Sequence, residues 1–371
     1  MKSGVRALQI LCILFLLLGT ALGAEDASIN RLLSKLPPPE KLIKPSVQRA
    51  MQQPDPAFKD PLAAQAAMAI LTRNFPQGLS LSRKLAERYP RSAGAQCLRG
   101  VAAYDLRQFA EALAAFRTAT SVQPKFTFGY FGMAAVEATQ GHYASAIPHL
   151  RRVIELQPNA AGAYYGLSEC ALRIGHKQES VEYAKKASAL APSNGYMWLQ
   201  LAKAEKSLSH TEATLNAISK AAQVSPDSGE MLATLGFSYI NLNRIPQALP
   251  PLQRAARLLP QDYVVQSQLG YCLMTTGQTD AAIRYLQKGA SLNSSYGPVW
   301  EHLGAAYQKL GRNRDAVSAL ETATRLLPSS RLTWQHLAQA YQATGRNADA
   351  QRAAARAQQL NAASKASKKK A

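Results

Sequence analysis

Proline recurs along this chain at a fixed interval, and no other feature limits its fold more. Pro90, Pro124, Pro158, Pro192, Pro226, Pro260 and Pro328 fall on a 34-residue grid, broken once where Ser294 stands in the expected place. Proline lacks an amide hydrogen and clashes with the preceding turn, so it cannot continue a helix, and a grid of prolines marks a grid of helix ends. Counting from three residues after each proline, positions 4, 7, 8 and 11 lie on one stripe of a helix that turns 100° per residue. Large residues there fill a core, Trp300 and Trp334 among them, while glycine at the eighth position lets helices approach closely. Glycine at the fifteenth position (Gly141, Gly175, Gly277, Gly311 and Gly345) accepts the left-handed backbone that ends a first helix. Each stretch therefore reads as two helices that leave an apolar face bare, and stacking on neighbours covers it.

The units so defined are 93–126, 127–160, 161–194, 195–228, 229–262, 263–296, 297–330 and 331–364. In the unit from 297, Trp300, Leu303, Gly304, Tyr307, Gly311, Ala316, Leu320, Ala323 and Pro328 follow one another at fixed spacing; Trp334, Leu337, Ala338, Tyr341, Gly345 and Ala350 repeat the pattern. The pattern resembles the tetratricopeptide repeat (TPR) over most of the chain. That resemblance implies an all-α fold, a right-handed superhelical solenoid of helix-turn-helix repeats. It also implies a non-enzymatic scaffold or adaptor that binds protein or peptide partners.

The ends read differently. Lys2 and Arg6, the apolar run Ile10 to Leu18 and the small residues around Ala21-Leu22-Gly23 form an export signal over residues 1–23. The run is about half the ~20 apolar residues of a membrane span, so cleavage before Ala24 and a periplasmic or secreted protein of a bacterial envelope are expected, with no later span. Residues 24–60 hold Pro37-Pro38-Pro39, Pro45, Pro54 and Pro56 and read as a mobile segment. Residues 61–92 read as a degenerate helical capping pair. The formal charge of +20 is concentrated towards the two ends; residues 365–371 form a flexible basic tail with Lys365, Lys368, Lys369 and Lys370. Cys97, Cys170 and Cys272 lie in no CxxC or Cys/His cluster and read as unbridged core thiols.

Catalytic patterns are missing from the sequence: there is no P-loop, G-x-S-x-G, HExxH or Gly-rich dinucleotide turn, so no cofactor is expected. His302 and His336 share the sixth position of adjacent units, and two imidazoles without a third ligand read as a polar rim, not a metal site. In the repeat family, positions 2, 5, 6, 9 and 13 of the first helices line the inner curve. The resemblance thus places Phe128, Phe131, Tyr165, Tyr196, Phe237 and Tyr271 there, with Tyr104 beside them and His302 and His336 on the same face. Rings in such positions either anchor an extended or helical peptide or cover one another. The carboxylate clamp of chaperone-binding relatives is not expected, because Cys97, Val101, Gly132, Gly162 and Gly166 stand where its Lys, Arg and Asn belong. A second reading makes the solenoid a spacer whose basic ends contact an anionic polymer or lipid surface; export argues against nucleic acid.

Overall fold

A computed structural model describes the backbone of residues 55–370 and, within that range, the side chains of all but Phe58 and residues 363–370. The export signal, the prolines from Pro37 to Pro54 and the side chains of the four tail lysines lie outside the described residues. Two compact units meet in sequence between Thr214 and Leu215. The first holds α1 (Pro61–Leu71), α2 (Phe75–Arg88), α3 (Ala93–Asp105), α4 (Phe109–Val122), α5 (Thr127–Thr139), α6 (Tyr143–Leu156), α7 (Ala161–Arg173), α8 (Lys177–Leu190) and α9 (Gly195–Ser207). The boundary falls inside α10 (Thr211–Val224). The second unit continues with α11 (Gly229–Asn241), α12 (Ile245–Leu258), α13 (Tyr263–Thr275), α14 (Thr279–Leu292), α15 (Gly297–Lys309), α16 (Asn313–Leu326), α17 (Arg331–Ala343) and α18 (Asn347–Lys370). The described residues are all-α, and within each unit consecutive helices stack as antiparallel pairs. No described helix is long and apolar enough to cross a membrane.

One left-handed residue turns each first helix into its second. Five of these residues are Gly141, Gly175, Gly277, Gly311 and Gly345, with φ between 68° and 88°. The same conformation is forced on Arg73 (φ 60°), Arg107 (57°), Ser209 (60°) and Asn243 (56°), at a cost of roughly 1–2 kcal/mol for a side chain in that region. Arg73 shows that α1 and α2 are joined by the same turn as the repeats that follow. The chain before them is folded from Asp55 onward, where the proline content had suggested mobility: Pro56–Lys59 is a short 3-10 turn. Asp55 Oδ2 accepts from Ser92 Oγ (2.7 Å) and from the Gly94 amide (3.0 Å), which holds this turn to the start of α3. At the other end α18 runs on to Lys370, so residues 365–370 are helical where a flexible tail had been expected.

The core is organised around the twenty-fourth position of each repeat. Phe116, Leu252, Leu286 and Leu320 stand there, fully buried, each against a glycine at the eighth position of its own first helix. A methyl group added at Gly100, Gly236, Gly270 or Gly304 would lie 2.7, 2.4, 2.5 or 2.3 Å from that side chain. Phe116 is also pressed by Gly132 of the next repeat, where a methyl would come within 2.5 Å of the ring.

Trp300 and Trp334 are half-buried, not core residues as the sequence suggested. Their indole N–H groups donate to the carbonyls of Ser294 (2.8 Å) and Pro328 (3.1 Å), the residues that close the preceding repeats. Trp198 to Pro192 (2.8 Å), Tyr130 to Pro124 (3.2 Å) and Gln266 to Pro260 (3.4 Å) repeat the bond. An indole N–H that must reach a carbonyl at the repeat edge cannot also sit in a dry core. Cys97, Cys170 and Cys272 are buried, and burial pushes the Cys170 and Cys272 thiols up to about 12.

Two substitutions test this packing by chemical denaturation. Gly304→Ala is expected to cost about 1–3 kcal/mol, because Leu320 must leave its rotamer or push the helices apart. Trp300→Phe keeps the ring and loses the hydrogen bond, and is expected to cost about 1 kcal/mol.

Candidate partner-binding face

In the first unit, the second and fifth positions of α3, α5, α7 and α9 form two rows on one face. The fifth-position row reads Cys97, Phe131, Tyr165, Leu199; the second-position row reads Gly94, Phe128, Gly162, Tyr196. Helices α3 and α5 pack directly on one another, as do α7 and α9, whereas α5 and α7 barely meet. The core divides at the same place. One cluster holds Phe116, Met133 and Val136; the next holds Ala134, Leu150, Leu167 and Cys170. Phe128 packs on the first cluster, edge-on to Phe126 at 5.7 Å, and Phe131 packs on the second. Tyr165 is half-buried and Tyr196 is 43% exposed. A methyl group added at Gly162, between Phe128 and Tyr196 in its row, would meet no atom within 4 Å. Tyr104 is tied into the scaffold: its hydroxyl is 2.6 Å from Thr139 Oγ1, and its ring lies 6.0 Å from that of Phe109.

Charge gathers farther along α7 and α9. Arg173 Nε donates to Glu169 Oε1 (2.8 Å) and Lys203 Nζ to Glu169 Oε2 (2.6 Å). Burial opposes ionisation of Glu169, but these hydrogen bonds outweigh it and hold the carboxyl below the usual range. The Glu169 side chain is 17% exposed, against 52% for Arg173 and 49% for Lys203, so this surface presents cations to solvent. Lys206, one turn beyond Lys203, is exposed. At the end of α3, burial pushes Asp105 up to about 7, only partly offset by Arg73. The folded protein thus binds a proton that the unfolded chain releases near the ordinary carboxylate value of 3.8. The contribution from Asp105 is complete below about pH 4 and is lost as pH rises through about 7. Asp105→Asn is therefore expected to flatten the stability profile between these limits, read as midpoint temperature against pH.

The second unit has a different face. Phe237 is half-buried on α11. The Tyr271 ring stacks on His302 at 4.9 Å, and Ser267 Oγ lies 3.4 Å from His302 Nδ1. Burial pushes His302 down to about 4, which keeps it neutral at neutral pH. Glu301 accepts from Ser330 Oγ (3.3 Å) and from Thr333 Oγ1. His336 lines a half-open depression of about 400 Å³ between α17 and α18, with Leu332, Gln335 and Ala354; its Nδ1 is buried without a hydrogen-bond partner among the described residues. Ala354, which lines the hollow, holds the twenty-fourth position, where Leu320 stands in the preceding repeat. Among the described residues no three His, Cys, Asp or Glu groups stand close enough to hold a metal ion.

The sequence singled out the aromatic rows, marked Gly162 only as a departure from the carboxylate clamp, and passed over Arg173, Lys203 and Lys206. The same register would have found the cations, which occupy the ninth, twelfth and thirteenth positions. The gap at Gly162 had no such signal, since glycine is frequent throughout the repeats.

Helix pairs turned by one left-handed residue and latched to the preceding closing carbonyl define a helical-repeat protein. The chain is a tetratricopeptide-repeat protein over the segments so matched: profiles described as tetratricopeptide repeat match residues 93–126, 131–195, 265–296 and 297–329. No curated protein matches it significantly in sequence. Among solved structures it is similar to MamA from Desulfovibrio magneticus RS-1, at 21% identity over 45% of this chain and 93% of that one, TM-score 0.40. YrrB, titled a TPR protein with an unusual peptide-binding site, is 21% identical over 60% of this chain and 97% of its own, TM-score 0.36. The Cut9-Hcn1 hetero-tetramer of APC/C gives 18% identity over 83% and 61%, TM-score 0.44. These likenesses concern the fold alone. The repeats themselves support a scaffold for protein–protein interaction.

Proposed function

We propose that the chain holds protein partners on the first-helix face of its first unit, with Phe128, Phe131, Tyr165 and Tyr196 as anchors. The observation that carries this reading is Tyr196, a ring 43% exposed on the same face as three half-buried aromatics. Exposed aromatic rings on a rigid scaffold are the side chains from which interfaces draw most of their energy. The helices behind them are fixed by core contacts, so little order is lost on binding. The second unit has its own candidate surface, with Phe237, Tyr271, His302 and His336. Export to a bacterial envelope belongs to the same proposal and is supported by the pattern of Lys2, Arg6 and the apolar run before Ala24; there the scaffold would serve assembly or secretion.

Tyr196→Ala tests the reading. Stability is expected to change by less than about 1 kcal/mol, while partner affinity is expected to fall by about 2 kcal/mol, roughly thirty-fold. Unchanged capture by a folded variant would remove this face as the working surface. Sequencing of the mature amino terminus checks the export element, with Ala24 as the expected first residue.

A further inference from the structure

The first unit's face has an apolar part and a charged part, and their arrangement selects for a kind of partner. The apolar part is interrupted at Gly162, where added atoms meet nothing within 4 Å, although rings flank it in its row at Phe128 and Tyr196. The interruption coincides with the place where α5 and α7 barely meet. Arg173 and Lys203 bring their charged heads together at Glu169, seven residues or about 10 Å along α7 from Gly162 at 1.5 Å per residue, and Lys206 stands one turn beyond Lys203. Each titratable group on the corresponding stretch of this face has its charge accounted for. Glu169 is shared between Arg173 and Lys203 and is mostly covered. Asp105 is held near neutrality by burial. Glu137 is 14% exposed and paired with His142 at 3.1 Å, and Glu205, between Lys203 and Lys206, is 6% exposed and paired with His210 at 2.7 Å and with Lys185 at 3.9 Å. The cationic heads are therefore what a ligand meets, beside an aromatic gap one side chain wide.

We propose that this face selects extended acidic segments: a large apolar side chain of the partner seats at Gly162 between Phe128 and Tyr196, and carboxylates two or three residues away pair with Arg173, Lys203 and Lys206. The distance fits, since an extended chain advances about 3.3 Å per residue and spans the ~10 Å from gap to cations in three residues. The segment is internal to its protein, because no terminal carboxylate is required. This inference rests on the proposed partner-binding face and adds its chemistry.

The probe is a fluorescent peptide, Gly-Asp-Asp-Ser-Trp-Ser-Asp-Asp-Gly, titrated with the full chain and followed by anisotropy. Its affinity is expected to fall as salt rises, because the contacts lie at an exposed surface. Replacing its Trp by Ala, or all four Asp by Lys, is expected to weaken binding at least tenfold. In the protein, Lys203→Ala with Lys206→Ala is expected to weaken it at least tenfold. Gly162→Leu should do the same with an unchanged or higher melting temperature, since the new side chain enters open space and leucine favours helix over glycine. Wild-type affinity in a folded Gly162→Leu protein, or equal affinity for the Asp and Lys peptides, overturns the proposal. If the Lys peptide alone binds and Tyr196→Ala abolishes that binding, the acidic preference falls while the partner-binding face stands. If no peptide binds and Tyr196→Ala leaves partner capture intact, both fall.

Discussion

In four repeats the side chain at the twenty-fourth position, Phe116, Leu252, Leu286 or Leu320, presses on a glycine at the eighth position of the first helix, and the array depends on that approach. Burying a leucine or phenylalanine is worth about 1.5–3 kcal/mol, but Leu320 lies so near Gly304 that even a methyl group would be only 2.3 Å away. The contact sets the distance between the two helices of a pair and so the register of the face opposite. Because the register repeats, equivalent positions align in rows, and a row of side chains becomes a surface. Ala354 holds that position in the repeat from 331 and lines the depression beside His336.

A second constraint joins one pair to the next. The closing proline was legible as a stop signal, yet its carbonyl has an equal part, receiving the N–H or O–H of Trp198, Tyr130 and Trp334. This explains why tryptophan or tyrosine recurs at a position that is only half-buried. Where Leu232 stands there instead, the Pro226 carbonyl accepts from Arg254 at 2.8 Å. Helix pairing was readable from the proline grid and from glycine at the turn. Arg73, Arg107, Ser209 and Asn243 were not readable as turns, because nothing in an arginine or serine announces a positive φ. The folding of residues 55–60 was hidden for a similar reason: proline content spoke for mobility, and only contacts distant in sequence, Asp55 with Ser92 and Asp60 with Arg88 at 2.6 Å, hold the segment.

The candidate face shows the same division. Its aromatic rows follow from period alone, so Phe128, Phe131, Tyr165 and Tyr196 could be named from sequence. Their unequal standing could not. Phe128 and Phe131 lean on two separate core clusters, Tyr104 is engaged by Thr139, and Tyr196 keeps a large exposed surface. The separation of α5 from α7, and with it the gap at Gly162, arises from how whole helices pack and has no one-dimensional signature. In the second unit Phe237 is half-buried and Tyr271 is stacked on His302, and among the described residues no ring there is as exposed as Tyr196, which makes the first unit the stronger claimant for partner binding.

Photocrosslinking tests that claim most directly, with p-benzoylphenylalanine placed at two exposed sites in turn and the chain expressed in its native cell. Tyr196, 43% exposed, lies on a first helix; Val122, 38% exposed, ends a second helix. The account predicts one discrete crosslinked product from position 196, lost when Phe131 is changed to Ala in the same chain, and none from position 122. Crosslinking from position 122 to the same product, or none from position 196 in a folded chain, would contradict it.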